Sequence, residues 1–167
     1  MKQGIYTITA NESLTKDVWR MVLAGDTSAM TAPGQFVEIS LPGFYLRRPI
    51  SVCDYDEASI TIIYKVVGQG TDAMTKLVPG DTLDLLTGLG NGFDPAKAGE
   101  SPVLVGGGVG VPPLYGLAKK LIEAGRKPFT SSASTRPKKF STPKSSRLWV
   151  LTSLSPPWTV PWASRAS

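Results

Sequence analysis

Apolar residues in the first hundred positions come in short runs, most of them alternating with polar ones, and turn signals separate the runs. Residues 5–10, 18–23, 36–41, 49–53, 59–66 and 82–86 fit this pattern, which predicts strands. Pro33-Gly34, Pro42-Gly43, the stretch 54–58 and Pro79-Gly80-Asp81 punctuate them. Six short strands at this spacing predict a mainly β fold, a small antiparallel barrel. Between the last two strands, 71–77 reads as one or two helical turns with Ala73, Met74 and Leu77 facing inward. After Asp94-Pro95 the period changes. An apolar strand at 102–105 leads into Gly106-Gly107-Gly108-Val109-Gly110 and then a helix at 112–124 that stops at Gly125. Pro112 suits the first helical turn, and Leu114, Leu117, Ala118, Leu121 and Ile122 form its expected buried stripe. Strand, glycine turn and helix in this order are the opening unit of a doubly wound nucleotide-binding domain, where glycines let the backbone approach a phosphate. The same glycines also fit a tight turn that packs a helix on a sheet. No acidic ribose-binding residue follows at the spacing of a dinucleotide fingerprint.

Composition narrows the chemistry. A chain of 167 residues with 41% hydrophobic content can hold one good domain, or a domain and part of another. No apolar run nears the roughly 20 residues needed to span a bilayer, and the N-terminus lacks a signal-peptide pattern, so a cytoplasmic protein is expected. With one cysteine, Cys53, and no histidine, an intrachain disulfide, a zinc site and a histidine base are excluded. No metal ligand and no catalytic residue is assigned, and Cys53 reads as a small buried thiol. The charge is uneven. Residues 1–130 carry 12 basic and 13 acidic residues, whereas 131–167 carry 6 basic and none acidic. The basic isoelectric point therefore belongs to the tail, and a nucleic-acid partner loses its main support.

One segment carries distinctive chemistry. Arg47-Arg48-Pro49-Ile50-Ser51 lies between apolar runs and is followed by Ile63-Tyr64-Lys65 and Gly68-Gln69-Gly70-Thr71. A dinucleotide flavin presents a doubly charged pyrophosphate, best met by a fixed guanidinium and by backbone amides at a glycine-containing turn. Arg48 and Gly70-Thr71 supply those groups, and Ser51 offers a small hydroxyl for the polar edge of the ring. On an extended strand Arg48 and Ser51 face opposite sides, so a bend near Pro49 is expected to bring them together. Alone, the five residues fit solvated charges at a strand start. Their ordered company gives them weight.

Residues 1 to about 130 resemble the ferredoxin-reductase superfamily, and within it the electron-transfer subunits of type B dihydroorotate dehydrogenases. The resemblance rests on RRPIS (47–51), IYK (63–65), GQGT (68–71), PGD (79–81), GLGNGFD (88–94) and GGGVGVPPL (106–114). It implies a Greek-key FAD-binding barrel at 1–98 followed by an NAD-binding α/β domain, of which 99–130 would be an incomplete part; 131–167 is expected, from its own composition, to be an out-of-frame disordered tail. By resemblance Arg48, Pro49, Ile50 and Ser51 hold FAD, Ile63, Tyr64 and Lys65 line it, and Gly70 and Thr71 take its phosphate region. Gly106, Gly107, Gly108 and Gly110 would face the nicotinamide nucleotide. The implied activity is electron transfer from dihydroorotate oxidation in a partner flavin subunit, through FAD to NAD, in a heterotetramer serving pyrimidine synthesis. The family's [2Fe-2S] cluster has no counterpart here, since four thiolates are needed and one is present. The rival readings are another flavin or ferredoxin reductase subunit, a non-enzymatic binding module, and a product that never folds stably.

The tail departs from this grammar. From 131 onward there are ten serines, five prolines and three of the four tryptophans, with no acid and no glycine. A nucleotide-binding domain should resume with an apolar strand, and Phe129-Thr130 begins one that is expected to stop at once. Codons for 131–167 can be chosen so that the frame displaced by one nucleotide encodes a YAEEFKA helix and a DVTVSTVDGS strand and turn. The expectation is a frameshifted, truncated chain with weak FAD binding and little NAD-linked activity.

Overall fold

Strand β1 (Lys2–Ser13) is long enough to serve two neighbours, and it closes the fold on itself. Its first half pairs with β6 (Thr82–Leu89) and its second with β2 (Val18–Ala24), and a register shift between Ile8 and Ala10 bends it from one partner to the other. With β3 (Phe36–Ser40), β4 (Arg48–Tyr55) and β5 (Ser59–Lys65) the six form a closed barrel in the order β1-β2-β5-β4-β3-β6, every pair antiparallel. Closure gives every strand a neighbour on both sides over at least part of its length. This computed structural model describes residues 1–133; the frameshift and disorder expected of the tail fall on residues outside them, apart from its first three positions. The barrel was expected from the period-two pattern, and each predicted strand is present with its ends moved by a few residues.

Alternation places Met21 and Leu23, Ile60 and Ile62, and Leu83 and Leu85 inside the barrel. Helix α1 (Gln69–Met74) closes one end by burying Met74, with Leu77 packed against the same core. Two of the sequence motifs form a structural clamp. Gln35 is buried and engaged at both ends of its amide: its Oε1 accepts from the amides of Thr31 and Ala32, and its Nε2 donates to the Gly90 carbonyl at 3.0 Å. The Phe93 ring lies over Gly34, and the Phe93 amide donates to the Pro33 carbonyl at 2.7 Å. The 88–94 segment thus folds back over Pro33-Gly34-Gln35.

Beyond a 3₁₀ turn at Pro95–Lys97 stands a second, smaller core of Leu104, Leu117 and Leu121. Strand β7 (Val103–Gly107) carries Leu104, and helix α2 (Pro112–Glu123) carries the other two. The helix opens on two prolines and gives way to Gly125 at φ +75°. Ile122 of the expected stripe is 62% exposed, one position round from Leu121, so the buried face is narrower than the sequence pattern predicts. The strand begun at Phe129 does not stop at Thr130. β8 (Phe129–Ala133) pairs in parallel with β7 from Val103↔Phe129 to Gly107↔Ala133. Ladder bonds run through the backbone, so serines do not interrupt them.

Candidate functional site

The barrel has an open seam where the flavin segment was expected. β4 and β5 pair from Val52↔Ile62 to Tyr55↔Ile60, with a register shift between Val52 and Asp54. Beyond Val52 the two strands keep only their outer neighbours. Arg48, Pro49, Ile50 and Ser51 pair with Ile39, Glu38, Val37 and Phe36 of β3, while Ile63, Tyr64 and Lys65 pair with Arg20, Trp19 and Val18 of β2. Among the described residues no ladder pair joins 48–51 to 63–65. Pro49 has no N–H to offer, which suits a strand whose neighbour has parted. The seam therefore presents two facing backbone edges with donors and acceptors to spare, a setting for a flat, polar-edged ring.

At the start of β4 the Arg48 side chain joins three segments. Its guanidinium carbon stands 4.8 Å from the centre of the Phe44 ring, and its Nη1 donates to the Leu46 carbonyl at 2.6 Å. Its Nε lies so close to Gly70 that a methyl group there would stand 2.0 Å away. The two motifs are thus brought into contact, and glycine is what permits it. The Thr71 hydroxyl accepts from the amides of Val67 and Gly68 at 3.0 and 3.2 Å and donates to the Gly68 carbonyl at 3.0 Å. It is spent on holding the turn. The first helical bond of α1 runs from the Asp72 amide to the Gly68 carbonyl, so the amides of 69–71 precede it and are available beside Arg48.

The other expected residues divide by strand geometry. The bend near Pro49 is not found. The β3–β4 ladder is regular from Ile39↔Arg48 to Phe36↔Ser51, and the irregularity lies past Val52. Arg48 and Ser51 therefore stay on opposite faces, with Ser51 exposed and Ile50 packed on the barrel core. Tyr64 points inward: it is 1% exposed, its hydroxyl donates to Asn11 Oδ1 at 3.2 Å, and burial pushes its phenol up to about 12. Its backbone alone reaches the seam. Ile63 is buried, and exposed Lys65 holds Asp17 at 3.4 Å.

The glycine turn splits in function. Gly106 is buried against α2, where a methyl group would stand 2.9 Å from Leu114 Cδ1, so it serves helix packing. Gly107, Gly108 and Gly110 are exposed; Gly108 has φ +54°, and methyl groups at 108 and 110 would meet nothing within 4 Å. The Gly108–Gly110 turn lies alongside β5, one strand of the seam. Helix α2 is held to β4 at Gly116, where a methyl group would stand 3.0 Å from the Cys53 carbonyl, and by Lys119 Nζ with Asp54 Oδ2 at 3.0 Å. That hydrogen bond is the main reason the Lys119 ammonium is pushed up. A small cavity of about 80 Å³ sits at this junction, lined by Cys53, Asp54, Gly116 and Lys119 among others. Burial, and then the Asp54 charge, push the Cys53 thiol up to about 12, which fits the inert thiol expected. Sequence reading missed Gly116, Asp54 and Lys119, which no local pattern marks. It also missed the Phe44-Tyr45-Leu46 tip, whose only signal was adjacency to Arg47-Arg48.

No family model matches the chain. Among curated proteins it is 42% identical over 133 residues to a dihydroorotate dehydrogenase B (NAD(+)) electron transfer subunit of Geobacillus sp. (strain WCH70), covering 75% of this chain and 52% of the relative. It is 44% identical over 133 residues to the subunit of the same name from Enterococcus faecalis (strain ATCC 700802 / V583), covering 75% of this chain and 51% of that one. The chain thus spans about half the length of the curated relatives it matches. Among solved structures, an NADH-dependent reduced ferredoxin-NADP oxidoreductase studied for flavin-based electron bifurcation superposes with a TM-score of 0.70 at 32% identity, covering 79% of this chain and 49% of that one.

Proposed function

We propose, from its similarity to dihydroorotate dehydrogenase B electron transfer subunits over about half their length, that this chain binds FAD across the β4–β5 seam and passes electrons between a dihydroorotate-oxidising partner and NAD. The observation that carries the reading is the contact of Arg48 with Gly70. It sets a fixed guanidinium beside the free amides of 69–71, at the end of a seam that a ring can enter. A guanidinium seated against a glycine-containing turn is the pairing of donors that a pyrophosphate needs.

Each group then has a task. Arg48 and the 69–71 amides bind the diphosphate. The backbone of 49–51 and 63–65 pairs with the polar edge of the ring, and the exposed Ser51 hydroxyl is within the same strand segment. Gly108 and Gly110, with exposed Gly107 just before them, leave the face beside β5 open to a nicotinamide nucleotide. When bound, FAD would supply the chemistry that accepts electrons singly or in pairs and exchanges a hydride with NAD. The chain's own part is to bind, orient and exclude water.

A [2Fe-2S] cluster does not fit these residues. Cys53 is the single cysteine of the chain, buried and with its thiol pushed up, so no step is routed through a cluster here. The partner of the reading is a catalytic dihydroorotate dehydrogenase subunit, in a heterotetramer, and the division into a barrel at 1–98 and a nucleotide segment from 99 onward, which runs past the expected end at 130 to at least Ala133, belongs to the same proposal. The test is flavin titration of the purified chain followed by calorimetry. The parent chain is expected to take up FAD, and Arg48→Ala to lower its affinity ten-fold or more, in line with about 1.5–3 kcal/mol for a hydrogen bond to a charged group. FAD affinity indifferent to Arg48→Ala would sink the proposal.

A further inference from the structure

The turn between β3 and β4 ends in Phe44-Tyr45-Leu46, with Tyr45 100% and Leu46 67% exposed. Single exposed apolar residues are ordinary and carry no meaning by themselves. This turn differs because it is tied to the phosphate-binding residue at two points. The Arg48 guanidinium rests over the Phe44 ring at 4.8 Å, and the same guanidinium donates to the Leu46 carbonyl at 2.6 Å. Tyr45 stands between those two anchors and makes no buried contact of its own.

On the reading that this chain binds FAD, we propose that Tyr45 stacks on the adenine ring and makes the site select FAD over FMN. Direction supports it. The flavin ring belongs in the seam at 49–51 and 63–65, and the diphosphate at Arg48 and Gly70, so the cofactor runs backwards along β4. At about 3.3 Å per residue, Ser51 to Arg48 covers about 10 Å of that path, and the next three residues back bring it to Tyr45. In FAD the diphosphate leads on to an adenosine, and the next surface past Arg48 is this turn. A tyrosine offers a large, rigid π-face, and the turn is already held by Arg48, so little ordering is required on binding. FMN ends at its phosphate and cannot reach Tyr45.

Calorimetric titration of the full chain with FAD and with FMN, for the parent and for Tyr45→Ala, Tyr45→Phe and Tyr45→Trp, tests this. Tyr45→Ala is expected to lose roughly ten-fold in FAD affinity, the scale of a base–aromatic stack, while its FMN affinity holds. The Phe and Trp variants are expected to retain FAD affinity. Because Tyr45 is fully exposed, the melting temperature of Tyr45→Ala should match the parent's. FAD binding that is unchanged in Tyr45→Ala, or FAD and FMN affinities that fall together, overturns the inference alone. A parent chain that binds neither flavin overturns the FAD reading and this inference with it.

Discussion

A methyl group at position 70 has nowhere to go while Arg48 keeps its place, since it would stand 2.0 Å from Arg48 Nε. Position 70 lies in a helix and not in the left-handed region, so alanine there gains about 0.5–1 kcal/mol from reduced backbone entropy. Gly70→Ala is therefore expected to leave stability level or slightly raised in urea denaturation while FAD affinity drops ten-fold or more; a parallel loss of both would mean that the residue merely supports the fold. Cys53 gives a pH signature of its own. Its thiol rises from an ordinary 9.0 to about 12, chiefly because burial disfavours the thiolate. A raised pKa in the folded state means that the unfolded thiol ionises first. The stabilisation is full below pH 9.0 and is lost as pH climbs toward 12, by up to about 1.4 kcal/mol per pH unit. Denaturation curves at about pH 8 and about pH 10.5 should show a steeper alkaline loss for the parent than for Cys53→Ala, and equal slopes would remove Cys53 as the cause. At this scale the sequence was informative where chemistry is written in residue type. An arginine and a glycine turn together are the groups an anion site needs, and the structure brings Arg48 against Gly70. It was uninformative about direction: Tyr64 looks like a ring-lining aromatic in Ile63-Tyr64-Lys65, but strand parity turns it into the core, and Thr71 looks like a phosphate ligand but spends its hydroxyl on its own turn.

Helix α2 meets the barrel backbone-close at Gly116, with the Cys53 carbonyl 3.0 Å from where a methyl group would sit. Backbone cannot swing aside as a long side chain can, so Gly116→Ala is expected to cost about 1–3 kcal/mol, read as faster amide exchange across α2 and β7. The neighbouring Lys119–Asp54 pair should matter less. Its side chains are 43% and 24% exposed, and pairs of that kind are worth about 0–1 kcal/mol. Lys119→Met is thus expected to change α2 exchange only slightly, and an effect larger than that of Gly116→Ala would reverse the assignment of what holds this helix. Ile122→Lys, at a position 62% exposed, should fall within about 0.5 kcal/mol of the parent. The elements were legible because each strand repeats every two residues and the helix stripe every three or four. Their ends were not, because an end is set by where a partner strand stops. The seam shows this most plainly. Nothing in 48–51 or 63–65 says that β4 and β5 part after Val52↔Ile62, since each segment remains a well-paired strand on its other side. The expected bend at Pro49 placed the irregularity in the right strand but too early, because proline marks a missing N–H, and here that gap is absorbed by the open seam.

Two cores of unequal size govern the described part of the molecule. The barrel core draws on all six barrel strands and α1, whereas the second consists of Leu104, Leu117 and Leu121 with a few partly buried neighbours. The outer face of β7 leaves Val103 and Val105 64% and 71% exposed, so the smaller core has helix cover on one side only. The succession from strands to a strand–helix unit was visible in the change of period after Asp94-Pro95; the imbalance between the cores was not, because it depends on which faces find a covering layer. It leads to a ranking. Local opening scales with the amount of apolar surface that must separate, so α2, β7 and β8 should exchange their amides faster than the barrel strands. FAD binding would sharpen the contrast. A ligand that contacts only the native barrel stabilises it by about 2.7 kcal/mol at a hundred-fold excess over Kd, and opening that leaves the seam intact gains nothing from it. Exchange measured with and without FAD is therefore expected to slow across β4, β5 and the 68–71 turn while α2 and β7 change little. Equal slowing in both cores would instead show that barrel and helix open as one cooperative body, with the glycine turn beside β5 and the Gly116 contact transmitting the gain. That outcome would place the coupling between the proposed flavin and nicotinamide sites in the packing of α2 on β4, and Gly116→Ala should then abolish the slowing in α2 while preserving it in the barrel.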